Sequence, residues 1–277
     1  MSNQKNNMRG AFSALLSVYY KESPCFLDLA MDSIWHQQSL KPSQIVLVKD
    51  GFLPADLEIV IDKWFVILGD VLTIVTLKKN VGLASALNYG LKYCKFELVA
   101  RMDTDDIALP HRFKLQFDLM SKDKNIAVSS GVIEEWDESF TNIISRRILP
   151  TTFEEIVVFA KKRSPISHPA CMFRKSVVID VGGYPNIYPE DHLLWVKIII
   201  KGYKLSNLPD VLLRMRAGNS IAARRGLSFL KGELHSYRLM YNSGFLSYIE
   251  YLQISILRSL LRLSPNVIKF LLYKLLR

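Results

Sequence analysis

LTIVTLKKNVGLASALNYGLKYCKFELVARMDTDD, residues 72–106, decides how the rest of the chain is read. Two short apolar runs, LTIVTL at 72–77 and FELVAR at 96–101, flank a helical pattern over 83–94. Neither run alternates cleanly with polar residues, which is expected of strands covered on both faces. A strand, a helix and a second strand form one unit of a parallel sheet. The same texture extends outward on both sides. Strands are expected at 12–19 (FSALLSVY), 44–49 (QIVLVK) and 126–133 (IAVSSGVI), with helices near 24–38, 54–68 and 110–121. The fold class that follows is α/β, a doubly wound and mainly parallel sheet. Residues 136–173 carry mixed patterns that extend this sheet, and 208–213 reads as a further short strand.

Open sheets of this kind bind ligands beyond the carboxyl ends of their strands. Here those ends are polar. They run into Tyr19-Tyr20-Lys21-Glu22, Lys49-Asp50-Gly51, Lys78-Lys79-Asn80-Val81-Gly82, and Arg101-Met102-Asp103-Thr104-Asp105-Asp106. No GxGxxG or GxxxxGK[ST] occurs, so neither dinucleotide binding nor a P-loop is indicated. The acidic cluster carries the strongest chemical signal. In an extended segment, Asp103 and Asp105 point to one side, and two converging carboxylates repel unless a cation lies between them. Hard oxygen ligands suit Mg²⁺ or Mn²⁺. Asp106 is read either with them or as a cap on the helix near Pro110.

With 49% hydrophobic and 22% charged residues, the 277-residue chain can bury one large core. That composition excludes disorder, and three scattered cysteines (Cys25, Cys94, Cys171, no CxxC) exclude a disulfide scaffold, a zinc ribbon and a redox dithiol. A reducing cytosol is the expected setting. Residues 1–200 hold 23 basic and 23 acidic side chains, whereas 201–277 hold 13 basic and 3 acidic, so the whole net charge of +10 lies in the last 77 residues. That region is rich in Leu, Ile, Tyr and Phe, which favours anionic lipid over nucleic acid as its partner. No uncharged apolar run of 18 residues exists, and MSNQKNNMRG lacks the apolar core of a signal peptide. Two amphipathic helices are expected near the end. In 246–263 a polar stripe of Ser255, Arg258, Ser259 and Arg262 runs beside Ile254, Ile256, Leu257, Leu260 and Leu261. Ser264-Pro265 then opens a second helix. They read as packing helices or as an in-plane membrane anchor.

The segments SVYY (17–20), IVLVKDG (45–51), NVGLASALNYGL (80–91), ARMDTDDIALPHR (100–112) and SHPACMFRKSVVIDVGGYPNIYPEDHLLW (167–195) together resemble the family 2 glycosyltransferases of the GT-A fold. The likeness spans roughly 11–220, with the motifs in the family's order, and is greatest to bacterial enzymes that build O-antigen, capsule or exopolysaccharide. It implies an inverting enzyme with a UDP-sugar donor, a divalent metal (Mn²⁺ or Mg²⁺) and a lipid-linked sugar diphosphate or oligosaccharide acceptor. Glucose or galactose is the donor sugar that likeness to O-antigen enzymes suggests. The resemblance gives residues 1–220 as the catalytic domain, with a nucleotide-sugar half to about 125 and an acceptor half from about 126. Residues 221–277 are then a basic helical tail, and the enzyme sits peripherally on the cytoplasmic face of the inner membrane.

Carried over by position, Ser17 and Tyr19 match the loop that meets the nucleoside and Asp50 the carboxylate that accepts from uracil, with Lys49 where the family often has a first Asp. Asn80 matches a donor-side position, and Gly82, Asn88 and Gly90 share its pattern. Asp103 resembles the ribose-side Asp of the DxD motif and Asp105 its metal ligand. Glu190-Asp191, opening the apolar helix HLLWVKIII, matches the place of the catalytic base, with Asp191 as base and Glu190 orienting the acceptor. His168 sits in the match as a structural or site histidine. Arg214 and Arg216 could face a diphosphate or form a solvated basic edge. Two other readings stand beside this one. One is a nucleotidyltransferase on a similar sheet, and the other an inactive sugar-nucleotide or lipid-binding protein.

Overall fold

The alternation within the first strand, β1 (Ser13–Val18), sets up two separate cores. Leu15 points to one face of the sheet and Ala14, Leu16 and Val18 to the other, each 2% exposed or less. The computed structural model describes residues 11–217 and 227–263. Strands β2 (Gln44–Lys49), β3 (Leu72–Thr76) and β4 (Leu98–Arg101) pair in parallel with β1 or with one another, in the order β3-β2-β1-β4. On the Leu16 face lie helices α1 (Pro24–Trp35) and α2 (Ala55–Leu68), which bury Leu27, Met31, Leu57 and Trp64. On the Leu15 face lies α3 (Leu83–Leu91), which buries Ala86, Leu87 and Leu91 against Val46 and Val48. Gly90 brings α3 against the sheet, for a Cβ there would meet Val48 Cγ2 and Leu15 Cδ1. The doubly wound arrangement is thus already complete by residue 101.

The later chain extends the sheet. A two-residue strand β5 (Ile107–Ala108) leads into α4 (Arg112–Lys122), which adds Phe113 to the Leu16-side core. Strand β6 (Ile126–Trp136), hairpin partner β7 (Ile143–Arg147), helix α5 (Phe153–Ala160), strand β8 (Met172–Arg174) and helix α6 (Lys175–Asp180) follow. Helix α7 (Asp191–Ile200) buries Leu194, Trp195 and Ile198 on the Leu15 side, and β9 (Lys204–Arg216) runs parallel to β6. The full order is β3-β2-β1-β4-β8-β6-β9-β5, with β7 on β6. Strand β8 is antiparallel to both neighbours, so six of the nine strands share one direction. The sheet is mainly parallel, as expected.

Several expectations change in extent: the helix near 24–38 ends at Trp35, and the strand at 126–133 runs on to Trp136. The strand expected at 208–213 is 13 residues long, because pairing with β6 continues on both sides of Pro209 through register shifts. The helix expected over 83–94 stops at Leu91, and Lys92 and Tyr93 turn back on Tyr89 and Gly90 carbonyls.

Helices α8 (Leu227–Asn242) and α9 (Tyr248–Leu263) close the described chain. Here the amphipathic pattern is divided: Ile254 and Leu261 are buried, and the polar stripe lies beside them rather than in water. The polar stripe of α9 faces inward: Arg262 Nε donates to Glu233 Oε2 at 2.9 Å and Nη2 to Oε1 at 3.1 Å. Arg258 reaches the Tyr237 hydroxyl at 3.2 Å and the Lys162 carbonyl at 2.6 Å. The apolar residues Ile249 and Ile256 point outward at 67% and 58% exposure. Buried charges demand partners, so the Glu233 pair fixes which side of α9 can face the domain. The helix expected after Pro265, and the boundary near 220, lie outside the described residues. Among the described residues no helix is long and apolar enough to cross a membrane.

Gly90→Val overpacks the contact between α3 and the sheet, at a cost of about 1–3 kcal/mol. The expected outcome is a thermal midpoint lower by about 2–4 °C per kcal/mol, read by calorimetry.

Candidate active site

The carboxyl end of β4 delivers Arg101, and the chain then turns rather than continuing extended. Thr104 and Asp105 form the turn. Asp103, Asp105 and Asp106 nevertheless converge, with one carboxylate oxygen from each lying within 4.8 Å of the others. The turn rather than strand geometry brings them together. Asp106 does not cap α4, whose N-cap is His111. Its Oδ1 instead accepts the Arg216 amide at 3.0 Å, while its buried Oδ2 has no partner.

Electrostatics separates the three. Asp103 takes a two-pronged ion pair from Arg101, with Nη1 to Oδ2 at 2.9 Å and Nη2 on Oδ1. Asp105 has its pKa pushed up to about 7, first by burial and then by the charges of Asp103 and Glu22. Asp106 is raised well above the carboxylate range by burial and by Asp105. A half-buried carboxyl group beside two others, with an unpartnered buried oxygen, fits a divalent cation with hard oxygen donors.

Sequence reasoning gave no role to Arg101, Thr104 or Glu22. Thr104 Oγ1 donates to Glu22 Oε2 at 2.8 Å, which ties the segment after β1 to the acidic turn. Arg101 is 1% exposed, and its charge acts on Glu190 at the start of α7 as well as on Asp103. The available signal was a charged residue closing an otherwise apolar strand.

Of the expected base pair, Glu190 is buried, with its pKa pushed up to about 7 by burial and by neighbouring Asp191. The His168 Nδ1 lies 3.6 Å from Glu190 Oε1, and its Nε2 is 3.2 Å from the Tyr184 hydroxyl. Burial holds His168 neutral, well below its usual range. Asp191 Oδ2 accepts from Ser164 Oγ at 2.7 Å. Arg216 lies against the acidic turn, its Nε 3.2 Å from the Asp105 carbonyl and its guanidinium between the Phe26 and Phe140 rings. Arg214 stacks on Trp136.

The remaining expected residues gather at the ends of β1 and β2. Ser17 is the penultimate residue of β1, and Tyr19 sits beside Tyr20 with ring centroids 5.7 Å apart. Asp50 accepts the Val81 amide at 2.7 Å and the Gly82 amide at 3.1 Å, so its carboxylate occupies the N-terminus of α3. Asn80 Nδ2 donates to the Asp50 carbonyl at 3.3 Å. Gly51, at φ +92°, lets the two loops touch, for a Cβ there would lie 2.6 Å from the Asn80 nitrogen.

An open, doubly wound sheet with an acidic turn after its fourth strand is the architecture of the GT-A glycosyltransferases. The family model for glycosyl transferase family 2 matches residues 15–182. The chain belongs to that family. It is 40% identical over 266 residues to the amylovoran biosynthesis glycosyltransferase AmsE of Erwinia amylovora, covering 94% of this chain and 97% of that one. It is 35% identical over 269 residues to the UDP-Gal:alpha-D-GlcNAc-diphosphoundecaprenol beta-1,3-galactosyltransferase of Escherichia coli, covering 95% of each. In fold it matches the mannosyltransferase PcManGT of Pyrobaculum calidifontis, solved with GDP-Man and Mn²⁺, at TM-score 0.63 and 17% identity, covering 95% of this chain and 78% of that one. It also matches S. aureus TarS 1–349, solved with UDP-GlcNAc, at TM-score 0.64 and 18% identity, covering 88% of this chain and 70% of that one.

The raised Asp105 pKa sets a pH dependence. Its folded value, about 7, lies above the ordinary 3.8, so without a cation this group weakens the fold as pH rises from about 4 through 7. A cation relieves that repulsion but competes with the proton below about pH 7. The rise in thermal midpoint on adding Mn²⁺ is therefore expected to be larger at pH 8 than at pH 6, and to shrink in Asp105→Asn. Differential scanning fluorimetry at both pH values checks it.

Proposed function

We propose that the chain is an inverting glycosyltransferase that moves a hexose, glucose or galactose, from a UDP-sugar to a lipid-linked sugar diphosphate or oligosaccharide acceptor in surface polysaccharide synthesis. The observation that carries this reading is the convergence of Asp103, Asp105 and Asp106 after β4, beside a buried Arg101 whose charge reaches both Asp103 and Glu190. The printed activity of the E. coli relative, a galactosyl transfer from UDP-Gal to a diphosphoundecaprenol-linked sugar, supports the donor and acceptor classes.

In this reading Ser17, Tyr19, Asp50 and Asn80 hold the nucleoside, with Asp50 also fastening the loop 80–82. Asp103 meets the ribose side, and Asp105 with Asp103 holds Mn²⁺ or Mg²⁺. A divalent cation held there would supply the positive charge that offsets what develops on the departing diphosphate. Arg101 holds the Asp103 carboxylate in one orientation through two hydrogen bonds. On the other face of the sugar, Asp191 takes the proton of the acceptor hydroxyl as that oxygen attacks C1. Its Oδ2 is steadied by Ser164, and Oδ1 has no hydrogen bond among the described residues. Glu190, protonated up to about pH 7, orients the acceptor as a donor of a hydrogen bond. A single displacement between these two groups inverts the anomeric centre. Residues 1–220 supply the catalysis, and the basic region 221–277 keeps the enzyme peripherally on the cytoplasmic face of the inner membrane.

Screening UDP-sugars with purified protein and Mn²⁺ tests the reading. Release of UDP, abolished by EDTA and restored by Mn²⁺ or Mg²⁺, is the expected outcome. Pyrophosphate release would instead identify a nucleotidyltransferase, and nucleotide binding without turnover a binding protein.

Asp191→Asn keeps size but removes basicity, so transfer is expected to fall by about 10²–10⁴ while UDP affinity is retained. Near-normal transfer would remove Asp191 from the mechanism, and lost UDP binding would make its role structural.

A further inference from the structure

Helix α9 presents its apolar side to the outside. Ile249, Leu252, Ile256, Leu257 and Leu263 are all exposed, and Gln253 is the one polar residue among the exposed positions of the helix. Every charged side chain of α9 is engaged on the domain side: Glu250 with Lys161 at 2.7 Å, Arg258 with the Lys162 carbonyl, and Arg262 with Glu233. The outward face is therefore apolar and uncharged over four turns. Soluble surfaces rarely expose such a patch without a partner.

Three observations name the occupant. Helix α8, packed on α9, shows solvent a polar side that includes the exposed cations Lys231 and Arg238. The region 201–277 carries 13 basic and 3 acidic side chains, a charge that suits an anionic surface. The sequence continues directly from Leu263 as SPNVIKFLLYKLLR, which adds Lys269, Lys274, Arg277 and eight large apolar or aromatic side chains, without an acid. A second copy of the chain would bring like charges together around the stripe. A bilayer with anionic headgroups meets both requirements, taking apolar side chains at the acyl boundary and cations at phosphate depth.

We propose that the outward face of α9 lies in the plane of an anionic bilayer, with Ile249, Leu252, Ile256, Leu257 and Leu263 entering it and Lys231 and Arg238 at its headgroups. The inward Arg262–Glu233 pair is what aims that face. This deepens the reading of a lipid-linked acceptor and rests on it for its purpose: a catalytic domain held flat on the membrane meets an acceptor that never leaves it.

The test is co-sedimentation of the full chain with vesicles of phosphatidylethanolamine and phosphatidylglycerol, against vesicles of phosphatidylcholine alone. Binding to the anionic vesicles, weakened by salt, is expected. The double variant Ile249→Glu/Ile256→Glu is expected to lose roughly tenfold or more of that binding, and Lys231→Glu/Arg238→Glu to lose most of its salt dependence. Both are expected to keep the wild-type rate of UDP release from the UDP-sugar that the screen identifies. If the glutamates unfold the hairpin, judged by circular dichroism, Leu252→Ser/Ile256→Ser carries the same expectation at smaller size. Undiminished vesicle binding by a folded stripe variant overturns the proposal. So does a wild-type dimer that the stripe variant dissolves while neither binds vesicles, since the occupant is then a second copy. Failure of the enzymatic reading looks different: vesicle binding through the stripe persists, but no sugar nucleotide is turned over.

Discussion

Arg101 carries a guanidinium into a place where almost no water reaches it, and the groups at the carboxyl ends of the strands are arranged about that charge. Two of its nitrogens fall on Asp103, while Glu190 and Tyr184 feel its field from the other side. The main chain around it is held as firmly. Arg112, itself fully buried, donates to the Arg101 carbonyl at 2.5 Å, and Gln116 donates to the Ala170 carbonyl at 2.9 Å. Burying two arginines next to each other is unfavourable, and the pKa of Arg112 is driven down to about 10 by burial and by Arg101. The neighbouring carboxylates offset that penalty, and in return they are fixed in position. An acidic site that must exist before its ligands arrive needs an internal cation of this kind, and β4 provides it in its last residue.

Much of the fold was legible because the first 135 residues keep strand and helix patterns apart. Strands 44–49 and 72–77 read as they fold to within a residue, since Gln44-Ile45-Val46-Leu47-Val48 and Leu72-Thr73-Ile74-Val75 have no helical alternative of similar quality. Strand β9 was under-read because Pro209 and Asp210 interrupt its pattern, and only pairing with β6 shows that the chain continues through them. The acidic turn was legible as chemistry but not as geometry. Residue types predicted convergence of Asp103 and Asp105, while the tight turn that achieves it and admits Asp106 depends on Arg216 arriving from the far end of the chain.

The C-terminal hairpin teaches the same lesson from the other side. A helical wheel of α9 separates a polar stripe from an apolar one, and habit turns the polar stripe to water. Glu233 reverses the choice, because an arginine can be buried when a carboxylate waits for it at 2.9 Å. No local pattern carries that information, since the two residues are 29 positions apart.

The amino end of a helix is an electropositive spot that ordinarily welcomes phosphate. In this chain that spot on α3 is already filled from within, by the Asp50 carboxylate on the amides of Val81 and Gly82. The fold has given one anion-binding place to its own side chain, which joins the second strand to the third crossover. An anion arriving at this edge of the sheet therefore meets a helix start whose positive end is partly neutralised by a resident carboxylate. Part of the pull that a helix start exerts on negative charge is thus given up here to stiffen the join between β2 and the loop before α3.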